Sequence, residues 1–573
     1  MILKALCDYY DRCKDMPKKG TELKEIGYLI VIDEEGKFKH LESCMLDKKH
    51  ASKFLVLQTN QRSGRKFVSN YLWDNCEYII GYSEKNPSKA ILCKEAFVSM
   101  TNSLMEKLPY NRNLISISSF YKRYEDIIGV ICGDPLWKEM LSSNKNISFR
   151  IHGNLDIAAE DKNLIDFVLS QESVGSELIC LVSGEKNKIA RIHSKVPIQG
   201  NSFTSLISFK DGKGYDSYGK IQGFNASISE RVEFKYTTAL NKLLAVDSQN
   251  KYQIGDRSFV FWASSDKKVC NEIELGLWNL LYSEEYDNPD ERIDQVKKVF
   301  SSINNGKLET SLEDKFYILA LAPNNSRIAV VYWAEIFLEK FAKTICSHIE
   351  SMEIVDNERK FKKPYVGLKS IISAVSESTP NLPDSVAKSI FQGCPYPYTL
   401  FASCIRRIRA EQQVPHSLKD WMKWQDMLVG RIAIIKAYLN RLNNNEQKIN
   451  VMLDNENNNQ GYLCGRLFAV LDRKQEKARK QRTIRERYMN SASATPSMIF
   501  PTILNLSRHH EKELRDEKER VWFEKLEQDI VKRISANGFP VHLDLQDQGR
   551  FFVGYYHQRQ DFFEKKTTND ENE

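Results

Sequence analysis

Two loops and one basic run hold the side chains best suited to chemistry. Gln61-Arg62-Ser63-Gly64-Arg65-Lys66-Phe67 puts three cations around a glycine, so backbone N–H groups and guanidinium groups can both reach phosphate. A solvated basic turn would look the same. Tyr215-Asp216-Ser217-Tyr218-Gly219-Lys220-Ile221-Gln222-Gly223-Phe224-Asn225 is a stretch of hydrogen-bonding and aromatic side chains with almost no apolar anchor. Long structureless loops in compact domains tend to be functional. Gln222 and Asn225 suit base edges, and Lys220 suits a phosphate or a base acceptor. The third feature is Arg473 through Arg487, with eight Lys/Arg against two Glu. On a helix it makes a strip about 20 Å long, ample to follow a phosphate backbone with strongly salt-dependent binding.

Signals for catalysis are poor. The chain contains no G-x-x-x-x-G-K-[ST] loop, no G-x-G-x-x-G after a strand and no H-E-x-x-H. His509 and His510 are adjacent, so on a helix they lie about 100° apart and cannot both face one metal with Glu511. His542 and His557 are isolated, and Asp74 suits a structural turn. The expectation is a protein that is not an enzyme and holds no metal or cofactor.

The elements that must position these loops follow from periodicity. Residues 3–14 read as a short amphipathic helix. Ile26–Asp33 is a strand, Asp33-Glu34-Glu35-Gly36 a turn and Lys37–Leu41 the return of a hairpin. Ser69–Asn75 leads to a short strand ending near Gly81, and helix signals run to about residue 145. Further strands are expected at Ser202–Phe209, Arg257–Ala263 and Arg327–Trp333, with a helix at Phe234–Val246. Beyond that the chain is helical almost to its end. The fold class is therefore α+β: a mixed domain at 1–355, a helical connection at 356–451 and a helical bundle at 452–573. Asn443–Asn459, inside a stretch with eight Asn, reads as a linker. In the bundle, Leu463, Leu467, Val470 and Leu471 recur at one-face spacing. A polar elbow is expected at Asn490–Ser497, and a second helix begins at Phe500 with Pro501 in its first turn. A third ends in Gly554–Phe563.

Composition sets the outer bounds. The 573 residues are 42% apolar and 11% aromatic, with a formal net charge of +7. That charge is mild, so clustering carries more information than the total. Twelve cysteines are scattered singly without a C-x-x-C pair, which fits reduced thiols. The first ten residues lack a signal-peptide core, and no apolar run reaches the roughly 18 residues of a membrane span. A soluble, cytoplasmic protein is expected.

Several uncommon motifs then occur in order along nearly the whole chain. They are Met1-Ile2-Leu3 with Ala5-Leu6 and Tyr9-Tyr10; Ser69-Asn70-Tyr71-Leu72-Trp73-Asp74-Asn75; and Ser217-Tyr218-Gly219-Lys220 with Gln222-Gly223 and Asn225-Ala226. Gly393-Cys394-Pro395-Tyr396-Pro397, Arg406-Arg407-Ile408-Arg409-Ala410, Ser507-Arg508-His509-His510 and Gly554-Tyr555-Tyr556-His557-Gln558-Arg559-Gln560 follow. Together they resemble the large subunit of the type I-C CRISPR Cascade surveillance complex.

The resemblance implies a non-catalytic subunit bound to CRISPR guide RNA beside the guide-RNA-processing subunit, the Cascade backbone and the small subunit. Such a subunit recognises a short, thymine-rich motif flanking the target in double-stranded DNA, assists unwinding and R-loop formation, and presents a surface to the helicase-nuclease. No membrane is involved. On that basis the flanking duplex is expected to meet Arg62, Ser63, Gly64, Asn70, Asn75, Tyr218, Gly219, Lys220, Gln222 and Asn225. Gln222 is the wedge, and Asn70 and Lys220 are base or minor-groove contacts. Lys477, Arg479, Lys480, Arg482, Arg485, Arg487 and Arg508 are expected along DNA backbone. The family also implies separate translation of the C-terminal bundle as the small subunit, here from Met452. The alternative is a scaffold that binds guide RNA and partner subunits without reading DNA. A nuclease built on His509, His510 and His542 would need divalent metal.

Overall fold

The N-terminal sheet grows from the apolar run Ile26-Gly27-Tyr28-Leu29-Ile30-Val31-Ile32. Nearly every side chain there is buried, as in a strand covered on both faces. The computed structural model describes residues 1–60, 67–171, 177–198, 202–210, 212, 214, 216, 218–281, 294, 297–302, 313–324, 327–358, 365–375, 381–415, 417–442, 448–479 and 483–564. It is 54% helical and 16% strand, an α+β protein. Two compact units divide it, one built on residues 3–195 and 207–240, the other on 196–206 and 241–573.

In the first unit, α1 (Ile2–Arg12) precedes β1 (Thr21–Ile32), β2 (Phe38–Ser43), β3 (Lys53–Leu57) and β4 (Trp73–Asp74). β5 (Asn146–Ile151) completes a five-stranded sheet of order β2-β1-β5-β4, with β3 on the first half of β1. The expected hairpin is present, antiparallel with Ile30 opposite Leu41. Lys37 N–H donates to Asp33 Oδ1 at 2.7 Å across its turn. The parallel β1–β5 pair needs a long crossover, supplied by α2 (Cys76–Ile79), α3 (Pro87–Lys107), α4 (Arg112–Lys122), α5 (Tyr124–Cys132) and α6 (Trp137–Ser143). The segment toward Gly81, expected as a strand, is the helix α2. Asn75 Oδ1 accepts Tyr78 N–H at its N-terminus and commits it to a turn. α7 (Lys162–Ser170), the pair β6 (Glu177–Ile179) and β7 (Lys186–Lys188), and later α8 (Glu230–Leu244) follow.

In the second unit β8 (Lys195–Ile198) pairs with β9 (Ser202–Ser205), shorter than the strand expected to Phe209. An antiparallel sheet runs β10 (Lys251–Ile254), β11 (Arg257–Ala263), β12 (Lys315–Asn324) and β13 (Arg327–Phe337). Its inner face (Phe259, Phe261, Phe316, Ile318, Tyr332) lies in one core with α9 (Lys268–Leu281) and all the later helices. These are α10 (Leu338–Met352), α11 (Leu368–Val375), α12 (Leu382–Phe391), α13 (Tyr398–Ala410) and α14 (Leu418–Arg441). The terminal bundle is α15 (Gln460–Arg479), α16 (Thr483–Ala494), α17 (Pro496–Glu513), α18 (Glu517–Val531) and α19 (Leu545–Asp561). The boundaries drawn at 355 and 451 fall inside this unit, because its core runs without a break from Tyr252 to Tyr556.

The bundle differs from its expected form at three places. The elbow is one residue, Thr495, and Pro496 rather than Pro501 stands in the first turn of α17. Pro501 lies inside that helix. The part of the Asn-rich stretch that is described, 448–459, is pinned rather than loose. Asn440 brackets Ile449 with two 2.8 Å hydrogen bonds, and Arg466 reaches Asn455. α15 and α19 cross with almost no gap. A Cβ on Gly465 would lie 1.9 Å from Phe551 O, and one on Gly554 2.3 Å from Tyr462 O. Glycine at both points is what lets the two backbones touch.

Candidate nucleic-acid interface

The neck of the first loop is built from short polar side chains. Asn60 N–H donates to Asn70 Oδ1 at 2.9 Å, and Asn60 Nδ2 donates to Ser69 O at 2.8 Å. Asp74 accepts from the backbone N–H groups of Asn70 and Asn75 at 2.9 and 2.8 Å. Leu72, at φ 57 and buried, turns the chain between them. Asn70, expected against DNA, is only 2% exposed and its carbonyl oxygen is taken; here it closes a loop mouth. Asn75 caps α2. Arg62, Ser63 and Gly64 lie outside the described residues. Beyond the neck, Phe67, Ser69 and Tyr71 line a 370 Å³ cleft with Met100 and Lys107 of α3.

The second loop leaves its polar groups outward. Tyr218 is 99% exposed, and it and Gln222 hold positive φ (52 and 49) without being glycine. Gly219 and Lys220 are exposed beside them. Asn225 Nδ2 donates to the carbonyls of Lys220 and Gln222 at 3.1 and 3.0 Å, so this side chain braces the turn rather than facing a base. Gly223 N–H donates to Arg191 O at 3.0 Å, and a Cβ there would sit 2.2 Å from Ala190 O. Only glycine allows the loop to lie this close to the 189–191 segment. Arg191 itself is exposed and donates to Gln222 Oε1 at 2.7 Å. Sequence reasoning missed it, and nothing in Ile189-Ala190-Arg191 marks it.

Among its described residues the basic strip is largely taken up by internal partners. Arg479 makes two 2.7 Å bonds to Glu513, whose carboxyl this holds below the usual range, and Lys477 pairs with Glu519 at 3.0 Å. Lys474 is 1% exposed, between Glu527 and Glu511. Arg485, expected on DNA, is also 1% exposed. Its guanidinium lies 4.5 Å from the Trp424 ring and 5.5 Å from that of Tyr555. It is a bundle-core residue. Lys480 and Arg482 lie outside the described residues, and Arg487 is exposed. The outward face of α17 carries Thr502, Asn505, Arg508, His509 and Lys512, all exposed. Arg508 and Lys512 have no acidic partner among the described residues.

The histidines do not converge. His510 is buried with its pKa lowered by desolvation, while His509 and His542 are exposed. Among the described residues no three His, Cys, Asp or Glu side chains could hold a metal ion. His557 is buried beside Tyr462, and desolvation pushes its pKa down to about 3. The rest of its motif is scaffolding. Tyr555 donates to Asp472, Tyr556 to Val355 O, and Arg559 pairs with Glu358 at 2.8 Å.

Residues 6–563 match the model of the family CRISPR-associated protein Cas_Csd1, and the chain belongs to that family, the large subunit of type I-C Cascade. No curated protein matches it. Membership makes it part of a CRISPR complex. Among the described residues no helix is long and apolar enough to cross a membrane.

Proposed function

We propose that this chain is the non-catalytic subunit through which the complex reads the motif flanking its target and begins unwinding the duplex. The observation that carries the reading is the Tyr218–Asn225 loop. Its backbone is held by Asn225 and Gly223, while Tyr218, Gly219 and Lys220 remain exposed. Base reading needs side chains whose positions are set before the duplex arrives. Tyr218 offers a stacking plane, Lys220 a cation and Gln222 a wedge. The basic loop at Arg62-Ser63-Gly64 adds phosphate contacts.

Backbone contact to the displaced strand belongs to the outward face of α17. Residues 502–512 span about 15 Å of helix at 1.5 Å per residue, with Arg508 and Lys512 free to meet phosphates. The helicase-nuclease docks on this subunit after the R-loop forms. A second product starting at Met452, which is exposed ahead of α15, contains the five terminal helices. A C-terminal tag that shows full-length protein alone would count against that product.

The reading is tested by assembling the complex on guide RNA with and without this chain and comparing two duplexes that differ only in the flanking bases. Tight binding should require both the chain and the right flank. Equal gains for both duplexes would make the chain a scaffold or backbone clamp.

A further inference from the structure

Arg191 grips the Gln222–Gly223 step twice. Its carbonyl accepts the Gly223 N–H at 3.0 Å, and its guanidinium donates to Gln222 Oε1 at 2.7 Å. A guanidinium has donors only, so the Gln222 carboxamide can meet it through the carbonyl oxygen alone. The NH2 group is thereby turned away from Arg191. The backbone is held as well, with Gln222 at φ 49 and its own carbonyl accepting from Asn225 Nδ2 at 3.0 Å. A rotating glutamine would offer donor or acceptor according to what it met. Held in this way it offers a donor, and the exposed Lys220 ammonium beside it also has donors only.

We infer that Arg191 is a positioning residue that locks Gln222 as a hydrogen-bond donor, so that the loop favours base pairs presenting only acceptors in the minor groove and rejects the guanine amino group. The inference rests on the reading that this loop meets the flanking duplex. A·T and T·A pairs show only acceptors in the minor groove, whereas G·C adds the N2 donor. Donor facing donor leaves both groups unsatisfied.

The test uses the assembled complex and three duplexes: an A·T flank, the same flank with one pair changed to G·C, and that pair changed to inosine·C, which lacks the amino group. The wild-type chain should bind the A·T and inosine·C flanks alike and the G·C flank roughly tenfold more weakly. Arg191→Ala should close the gap between G·C and inosine·C, and adding Gln222→Ala should change nothing further. Equal losses on all three duplexes, additive with Gln222→Ala, would make Arg191 a phosphate clamp and overturn the lock. So would a wild-type chain that treats G·C and inosine·C alike. If Gln222→Ala leaves flank discrimination intact, the loop is not the reader. Amide exchange in the free chain then judges the lock alone: residues 218–225 should exchange faster in Arg191→Ala, and unchanged exchange would refute it. Arg191 is exposed, so the variant should keep the wild-type melting temperature.

Discussion

The Tyr218–Asn225 loop and the 473–487 run look alike in sequence, each a polar stretch rich in groups that suit nucleic acid, yet the fold treats them in opposite ways. In the loop, local hydrogen bonds from Asn225 and Gly223 hold the backbone and leave Tyr218 and Lys220 exposed. In the basic run, acids from α17 and α18 take up Lys474, Lys477 and Arg479, and the aromatic rings of Trp424 and Tyr555 take up Arg485. Charge counted along a chain says nothing about charge brought in from elsewhere. A surface for a partner is defined by what remains after internal pairing.

The sharpest contrast comes from removing one side chain on each side of it. Arg485→Ala deletes a buried cation and leaves its neighbours unfilled, so a loss of about 2–4 kcal/mol in stability is expected, read as a lower melting temperature. An unchanged melting temperature with weaker DNA binding would return Arg485 to the surface. Gln222→Ala with Lys220→Ala should leave the melting temperature alone and reduce flank discrimination by about 1–3 kcal/mol in a gel-shift comparison. Arg508→Glu with Lys512→Glu should weaken binding to every duplex and lower the salt slope by about two. Paired cations should behave differently: Lys477→Gln with Arg479→Gln should leave both the melting temperature and the salt slope unchanged.

The buried histidines give a pH test of the helical unit. His348, between Tyr396 and Val366 O, and His557, beside Tyr462, are both pushed down to about 3 by desolvation. As pH falls below the ordinary value of 6.5, the unfolded chain takes up these protons first. Stability is therefore full above that value and falls toward about 3, by roughly 1 kcal/mol per pH unit for each group. Denaturant unfolding at several pH values should show a shallower decline for His557→Gln than for wild type.

Much of the fold could be read from local pattern. The Ile26–Leu41 hairpin, the Arg257–Ala263 strand and the helical character after residue 337 follow from periodicity and turn chemistry, which are properties of neighbours in sequence. The segment after Asn75 was misread because a capping side chain outweighs strand propensity over four residues. The β10–β13 sheet shares its core with helices more than a hundred residues away, a grouping that no pattern of sequence neighbours carries.

By itself, the sequence determined the kinds of element, the family and the loop whose side chains suit bases. Tertiary structure alone decided which polar groups remain available. Asn70 closes a loop, Arg485 fills a core, and Arg191 orients Gln222, each through a partner distant in the chain. Hydrogen bonds and burial depend on what lies within about 3–4 Å in space, and a linear pattern carries no such distance.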